Sequence, residues 1–415
     1  MSQNEATTAP AQGEFARGWK VLAAASTGAG AGINGVHFYA ISLFLIPLAQ
    51  SHDWSRTQVS AMKTFMTLGL ITTAPLVGIL ADKLGVRKIG IISMATLALA
   101  SAAMTQITSS IVVFYIALFL MAGCGGGTTA LVWTRGVASW FVKQRGIALA
   151  ITATGTGVAG VITPPLIGGL IDKYGWQAGY LGIAALAALA IIPVYFLFFE
   201  NNAPVPGTAT TEAPIQTGLE IGEAVRTRRF WQNGVAFLII GAIVSSLTVH
   251  LVPLLGDMGL SREAALGVAG ALGGAVIVGR LFTGVLVDKF HPAYVAGLFL
   301  FLPVVSMGIF LAAPHVTPLV ILGVIMVGFA AGSEVHLLPY LTARYFGLKH
   351  YGKIYSWQYV MFYSGVGVGP VSFGYVFDQA GSYSPALLWS MPILAFGALM
   401  ITFLGKGSPM DAKAA

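Results

Sequence analysis

The 415 residues are 56% hydrophobic and 9% charged, with a mean hydropathy of +0.81; a soluble globular protein, in which about a quarter of residues carry charge, is excluded. The formal charge of +7 would suggest a nucleic-acid partner in a soluble protein, but in a lipid-solvated chain it has first to be tested against topology. One cysteine, Cys124, set in an apolar Gly-rich run, supports neither a disulfide framework nor a thiolate metal site.

Residues 1–17 read as a polar tail with no small-residue cleavage site after it, so the N-terminus is expected to be retained. Apolar segments long enough to cross a bilayer then follow at 18–49, 57–81, 88–109, 111–136, 145–171 and 177–199. A polar stretch, 200–228, is rich in Pro, Thr and Ala in its first half and is expected to form a short surface helix in its second. Six further segments occupy 229–256, 262–288, 293–314, 318–343, 350–377 and 384–405, and 406–415 forms a tail. The expected division is a tail 1–17, a bundle 18–199, a cytoplasmic linker 200–228, a bundle 229–405 and a tail 406–415.

With the N-terminus placed in the cytoplasm, seventeen of the 22 Lys and Arg residues fall inside. Arg56, Lys63, Lys173 and Arg262 fall at the outer side, and Arg280 lies within a segment. This bias predicts both termini inside, in a plasma (inner) membrane, and accounts for the net charge without nucleic acid.

Sliding the sequence along itself by 206 residues superimposes Pro47 on Pro253, Ser55-Arg56 on Ser261-Arg262, Asp82-Lys83 on Asp288-Lys289, Pro164 on Pro370, Asp172 on Asp378 and Gly175 on Gly381. Scarce residues recurring in one order at one offset indicate a duplicated unit. The predicted fold is an all-α membrane protein, its twelve transmembrane helices arranged as two pseudo-symmetric six-helix bundles. Such parallel repeats place a substrate site at their interface near the midplane, where rocking alternates access.

After the second segment stands Gly78-Ile-Leu-Ala-Asp82-Lys83-Leu-Gly85-Val-Arg87-Lys88, with a degenerate copy, Gly284-Val-Leu-Val-Asp288-Lys289, after the eighth. An aspartate at the C-terminal end of a helix opposes the macrodipole and is better placed facing a cation or another helix's N-terminus. The loop resembles the signature of the major facilitator superfamily at every defined position, and the resemblance implies gating roles for Asp82, Lys83 and Arg87, and by repetition for Asp288 and Lys289. Trp140-Phe141-Val-Lys143-Gln-Arg145-Gly-Ile-Ala148 further resembles the pattern of monocarboxylate transporters and their oxalate/formate-exchanging relatives, echoed by Arg344-Tyr345-Phe346-Gly347. The opening Asp-Gly-Gly-Trp-type pattern of animal monocarboxylate transporters is replaced here by Arg17-Gly18-Trp19-Lys20.

Charges at the bilayer centre cost roughly 3 kcal/mol or more, so each one inside a segment points to a cavity, a partner or a substrate. Arg280 sits about 12 Å from the cytoplasmic end of the eighth segment, and its planar fork fits a carboxylate bidentately at any working pH. The resemblance implies a substrate-binding arginine at this position, although the aspartate common one turn earlier in that branch is Val276 here. Glu334, about 14 Å deep in the tenth segment, reads either as the ion-pair partner of Arg280 or as the group that takes up a coupling proton. His336 is a second proton-handling candidate, directed elsewhere around that helix.

Asn34 and His37, three apart among glycines, Tyr359 in the stripe Tyr355-Tyr359-Tyr363, neighbouring Gln358, and His250 near the outer end of the seventh segment complete the candidate substrate-binding set. Each also has a packing alternative. The reading is a proton-coupled symporter of a mono- or aromatic carboxylate working by alternating access. Alternatives are a carboxylate exchanger and a drug/proton antiporter, the latter on the strength of Pro164-Pro165-Leu-Ile-Gly168-Gly169. No metal, cofactor or nucleic-acid partner is expected, and a monomer is. Enzymatic motifs such as G-x-S-x-G, H-E-x-x-H or a P-loop do not occur.

Overall fold

The computed structural model describes residues 14–107, 110–138, 140–141, 145–198, 218–347 and 349–405. Inside hydrocarbon a backbone must satisfy its own N–H and C=O groups, which these uncharged apolar runs do as helices. Twelve are long and apolar enough to span: α1 Glu14–His52, α2 Arg56–Ala81, α3 Val86–Gln106, α4 Ile111–Val137, α5 Ile147–Tyr174, α6 Trp176–Leu197, α7 Arg228–Val249, α8 Arg262–Val287, α9 Pro292–Ala312, α10 Thr317–Phe346, α11 Lys353–Ala380 and α12 Ser384–Thr402.

The duplication is visible in local chemistry. Ser55 caps α2 through a reciprocal box with Gln58, and its repeat mate Ser261 caps α8 by accepting from the Ala264 N–H at 3.3 Å. Gly175 and Gly381, also mates, end α5 and α11 with φ of 89° and 68°, a region open to glycine without strain. Packing repeats too. In the first half α1 lies on α5, α2 on α4 and α3 on α6; in the second α7 lies on α11, α8 on α10 and α9 on α12. The two six-helix bundles meet along two seams, α5 against α8 and α2 against α11, which the pseudo-twofold exchanges.

Two helices are broken at one level. A π turn, Ile33–His37, interrupts α1, and a 3-10 turn, Gly125–Thr128, interrupts α4. They are tied together by the Ile33 N–H, which donates to Thr128 Oγ1 at 3.0 Å. Within the linker, the expected surface helix is a single turn, Ile221–Ala224, and Leu219 N–H donates to the Phe346 carbonyl at 2.9 Å, docking this stretch on the end of α10.

Candidate functional site

The seam between α5 and α8 is built from glycines. A Cβ on Gly160 would stand 2.7 Å from both Gly273 Cα and Tyr39 Cζ, and one on Gly273 would stand 2.3 Å from the Gly160 carbonyl carbon. The two backbones therefore touch, and the ring of Tyr39 from α1 lies over the space that Gly160 leaves. Deeper along α8 is Arg280, 8% exposed. Its Nη1 crosses to the other half and donates to the Ala153 carbonyl and to Thr156 Oγ1, while Nε is buried with no partner among the described residues.

Glu334 is equally buried on α10, and its Oε2 has no hydrogen-bond partner among the described residues. The ion pair with Arg280 considered from sequence does not form among the described residues. The guanidinium is turned instead toward acceptors on α5, in the opposite half, where a carbonyl and a hydroxyl satisfy part of its fork. Glu334 feels the charge of Lys63, and Tyr39 feels both Arg280 and Glu334.

Lys63 adds a residue to the site that the sequence counts only among the outer basic residues. It is 8% exposed, with Nζ 4.3 Å from the centre of the Phe38 ring. The capped helix begins at Arg56, so Lys63 lies two turns inside it. Its neighbour Thr64 donates to the Gly367 carbonyl of α11 at 2.5 Å, which fixes Lys63 at the α2–α11 seam. No hydropathy pattern marks Lys63 as buried; the signal available was the short uncharged stretch 59–62, which begins four residues upstream of it.

The tyrosines of α11 form a continuous ladder. Ring centroids are 5.8 Å apart for Tyr355 and Tyr359 and 4.2 Å for Tyr359 and Tyr363, and Tyr363 lies within electrostatic range of Glu334. Tyr359 is thus one rung of the ladder away from the residue that feels Glu334. His336 is partly buried and feels Arg280.

Other candidates are held elsewhere. His37 is 3% exposed and bonded through Nε2 to Ser101 Oγ at 2.8 Å, inside the first bundle, whereas Asn34 is only partly buried. The π turn changes the winding between them, so the three-residue spacing no longer gives them one face. Gln358 is fully buried and spent on α7: Nε2 donates to the Phe230 carbonyl at 3.0 Å, and Oε1 accepts from Asn233 at 3.1 Å. His250 joins the Tyr383 hydroxyl at 2.8 Å and the Pro370 carbonyl at 2.9 Å, in a network beneath the loop after α11.

Among the gating candidates, Lys83 and Lys289 are exposed, and Arg87 donates to the Tyr195 carbonyl and covers the Tyr195 ring at 4.8 Å, a contact within its own half. The side chains of Asp82 and Asp288 lie outside the described residues. The polar closure that is visible lies at the end opposite the chain termini. Asp378 accepts from Arg56 N–H at 3.0 Å and Thr57 N–H at 2.8 Å, Arg262 Nε donates to Asp172 at 3.0 Å, and Val252 N–H donates to Ser42 Oγ at 2.8 Å. The first two involve repeat mates, Arg56 with Arg262 and Asp378 with Asp172.

A family model described as Major Facilitator Superfamily matches residues 27–370 and 275–414. The chain belongs to that superfamily. It is a membrane transporter, as the loop after α2 implied. It is 24% identical over 416 residues to the human protein named monocarboxylate transporter 11, covering 94% of this chain and 84% of that one. To the probable sulfoacetate transporter SauU of Cupriavidus necator it is 25% identical over 363 residues, covering 80% of this chain and 82% of the relative. A crystal structure of a D-xylose-proton symporter superimposes with a TM-score of 0.70 at 14% identity, over 95% of this chain and 98% of that one, which shows the fold alone.

Proposed function

We propose that this superfamily member is a secondary active transporter of a small organic carboxylate, of the mono- or aromatic class of its branch, coupled to proton symport by alternating access. The observation that carries the reading is Arg280. A guanidinium held in the membrane interior at the seam of the two halves, partly satisfied by α5 and free of an acidic partner among the described residues, suits an anionic cargo. The names of the monocarboxylate and sulfoacetate relatives support an anionic cargo at the level of the branch.

Glu334 supports proton coupling. A carboxylate buried beside the path, with an oxygen lacking a hydrogen bond, is a group whose protonation can follow cargo binding. Lys63, being interior, leaves the basic bias of the loops stronger than the sequence count suggested, and we place the termini-bearing end in the cytoplasm and the chain in the inner (plasma) membrane as a monomer. The closed end is then the outer one, and the 18–199 and 229–405 bundles are the rocking bodies.

The test is uptake into proteoliposomes from a panel of carboxylates, with and without an inward proton gradient. Wild type is expected to accumulate a carboxylate and Arg280→Gln to lose it. Arg280→Gln transport at the wild-type rate defeats the recognition role, and transport of lipophilic cations alone points to a drug antiporter.

A further inference from the structure

Among the described residues three Lys, Arg or Glu side chains are buried: Lys63 on α2, Arg280 on α8 and Glu334 on α10, each 8% exposed. The cations belong to opposite halves. Their depths follow from the repeat, because Arg56 and Arg262 are mates at the starts of α2 and α8. Lys63 lies seven residues beyond Arg56 and Arg280 eighteen beyond Arg262, so Arg280 is set eleven residues deeper, about 16 Å of helix rise. Long side chains shorten that gap, and two acidic groups set apart on one cargo match two cations set apart in the carrier. Tyr39 feels both Arg280 and Glu334, and Glu334 feels Lys63.

Resting on the carboxylate reading of Arg280, we infer that Lys63 is a second anion-binding residue, and that the cargo carries a second acidic group at the end remote from the carboxylate held by Arg280. Lys63 is built into the site: it packs at 4.3 Å over Phe38, its neighbour Thr64 is bonded across the seam to Gly367, and it forms no ion pair among the described residues. An ammonium so enclosed needs an anion, and among the described residues Glu334, on the opposite half and not in direct contact, is the group that answers its charge. A two-acid cargo gives each cation its own counter-ion and releases Glu334 to be protonated, so that no buried charge remains unmatched. A one-acid cargo leaves Lys63 dependent on Glu334. Because the cations come from different halves, such a cargo also bridges the bodies that move against each other.

The test is competition for uptake in proteoliposomes by a series of α,ω-dicarboxylates of increasing length, each against its own monoamide, which keeps the length and removes one acid. Wild type should prefer the diacid of matching length by roughly tenfold or more, the worth of a hydrogen bond to a charged group. Lys63→Gln should erase that preference while still transporting the monoamide, and Lys63→Arg should retain it. A wild type without diacid preference, or a preference that survives Lys63→Gln, overturns the inference while carboxylate uptake itself stands. Absence of any carboxylate uptake by wild type is the separate failure of the carboxylate reading. Should Lys63→Gln not insert, the wild-type comparison still decides.

Discussion

Arg262 donates from Nε to the Asp172 carboxylate at 3.0 Å and so ties the start of α8 to the end of α5, across the two halves. At the pseudo-symmetric position the same residue types are used differently. Asp378 accepts the backbone N–H groups of Arg56 and Thr57 and the Thr57 hydroxyl, acting as a cap supplied by the other half, while the Arg56 guanidinium turns to the Tyr383 hydroxyl at 2.8 Å and lies 3.5 Å from the Phe377 ring centre. The two contacts close one end of the molecule.

Removing each contact should bias the carrier toward the state open at that end, by different amounts. Arg262 and Asp172 are both about one-third or more exposed, so Asp172→Asn should change the open population only a few-fold, in line with roughly 0.2–1 kcal/mol for solvent-screened pairs. Asp378→Asn weakens three hydrogen bonds at once and should shift it further. Distances between spin labels on the ends of α2 and α11, and of α5 and α8, measure both; equal or absent shifts in the two variants contradict the latch role.

The glycine seam makes a sharper demand. At Gly273 an added Cβ meets backbone atoms of Gly160 and Val161 at 2.3 and 2.5 Å, which no rotamer change relieves. Gly273→Ala should therefore push α5 and α8 apart where they cross, at a cost of about 1–3 kcal/mol to the closed state. Gly274→Ala, whose Cβ would meet only a side-chain methyl at 3.9 Å, should be tolerated. Transport rate and labelling of engineered cysteines flanking the seam compare the two; similar behaviour would mean that the helices do not need this approach.

Gln358 shows what the sequence could and could not convey. Hydropathy made the twelve spans legible, because lipid imposes apolar helices on every residue of a span, and the 206-residue offset did the same for the duplication. The signature loop named the superfamily correctly, and Arg280 and Glu334 stood out as rare interior charges. Which way a polar side chain turns is not encoded in that pattern. Gln358 and Tyr359 are adjacent on α11, yet one is spent on α7 and the other packs in the tyrosine ladder between Tyr355 and Tyr363. His37 was separated from Asn34 by a π turn whose cause, the anchoring of Ile33 on Thr128, is a tertiary contact. The burial of Lys63 is likewise a matter of tertiary packing, against Phe38 and beside the α2–α11 seam.

From that placement, Gln358→Leu should lower stability without altering recognition. It leaves Asn233 and the Phe230 carbonyl without their partner in a buried site, a loss of about 1–3 kcal/mol, read as a lower melting temperature in detergent. KM for the carboxylate should stay at the wild-type value in the fraction that remains folded. A raised KM with unchanged melting temperature would return Gln358 to the substrate site.

Glu334 separates proton symport from plain anion exchange. With the carboxylate replaced by an amide of the same shape, no proton can be gained or lost at that position, so Glu334→Gln should lose the stimulation of net uptake by an inward proton gradient. It should keep, or increase, exchange of internal for external substrate, because exchange returns the loaded carrier without requiring the proton to leave. Lys63 loses its resident counter-ion in this variant, so affinity for an anionic cargo should rise rather than fall. A Glu334→Gln carrier that still concentrates substrate against its gradient when driven by protons moves the coupling role to another group, with His336, which feels the charge of Arg280, next to be replaced.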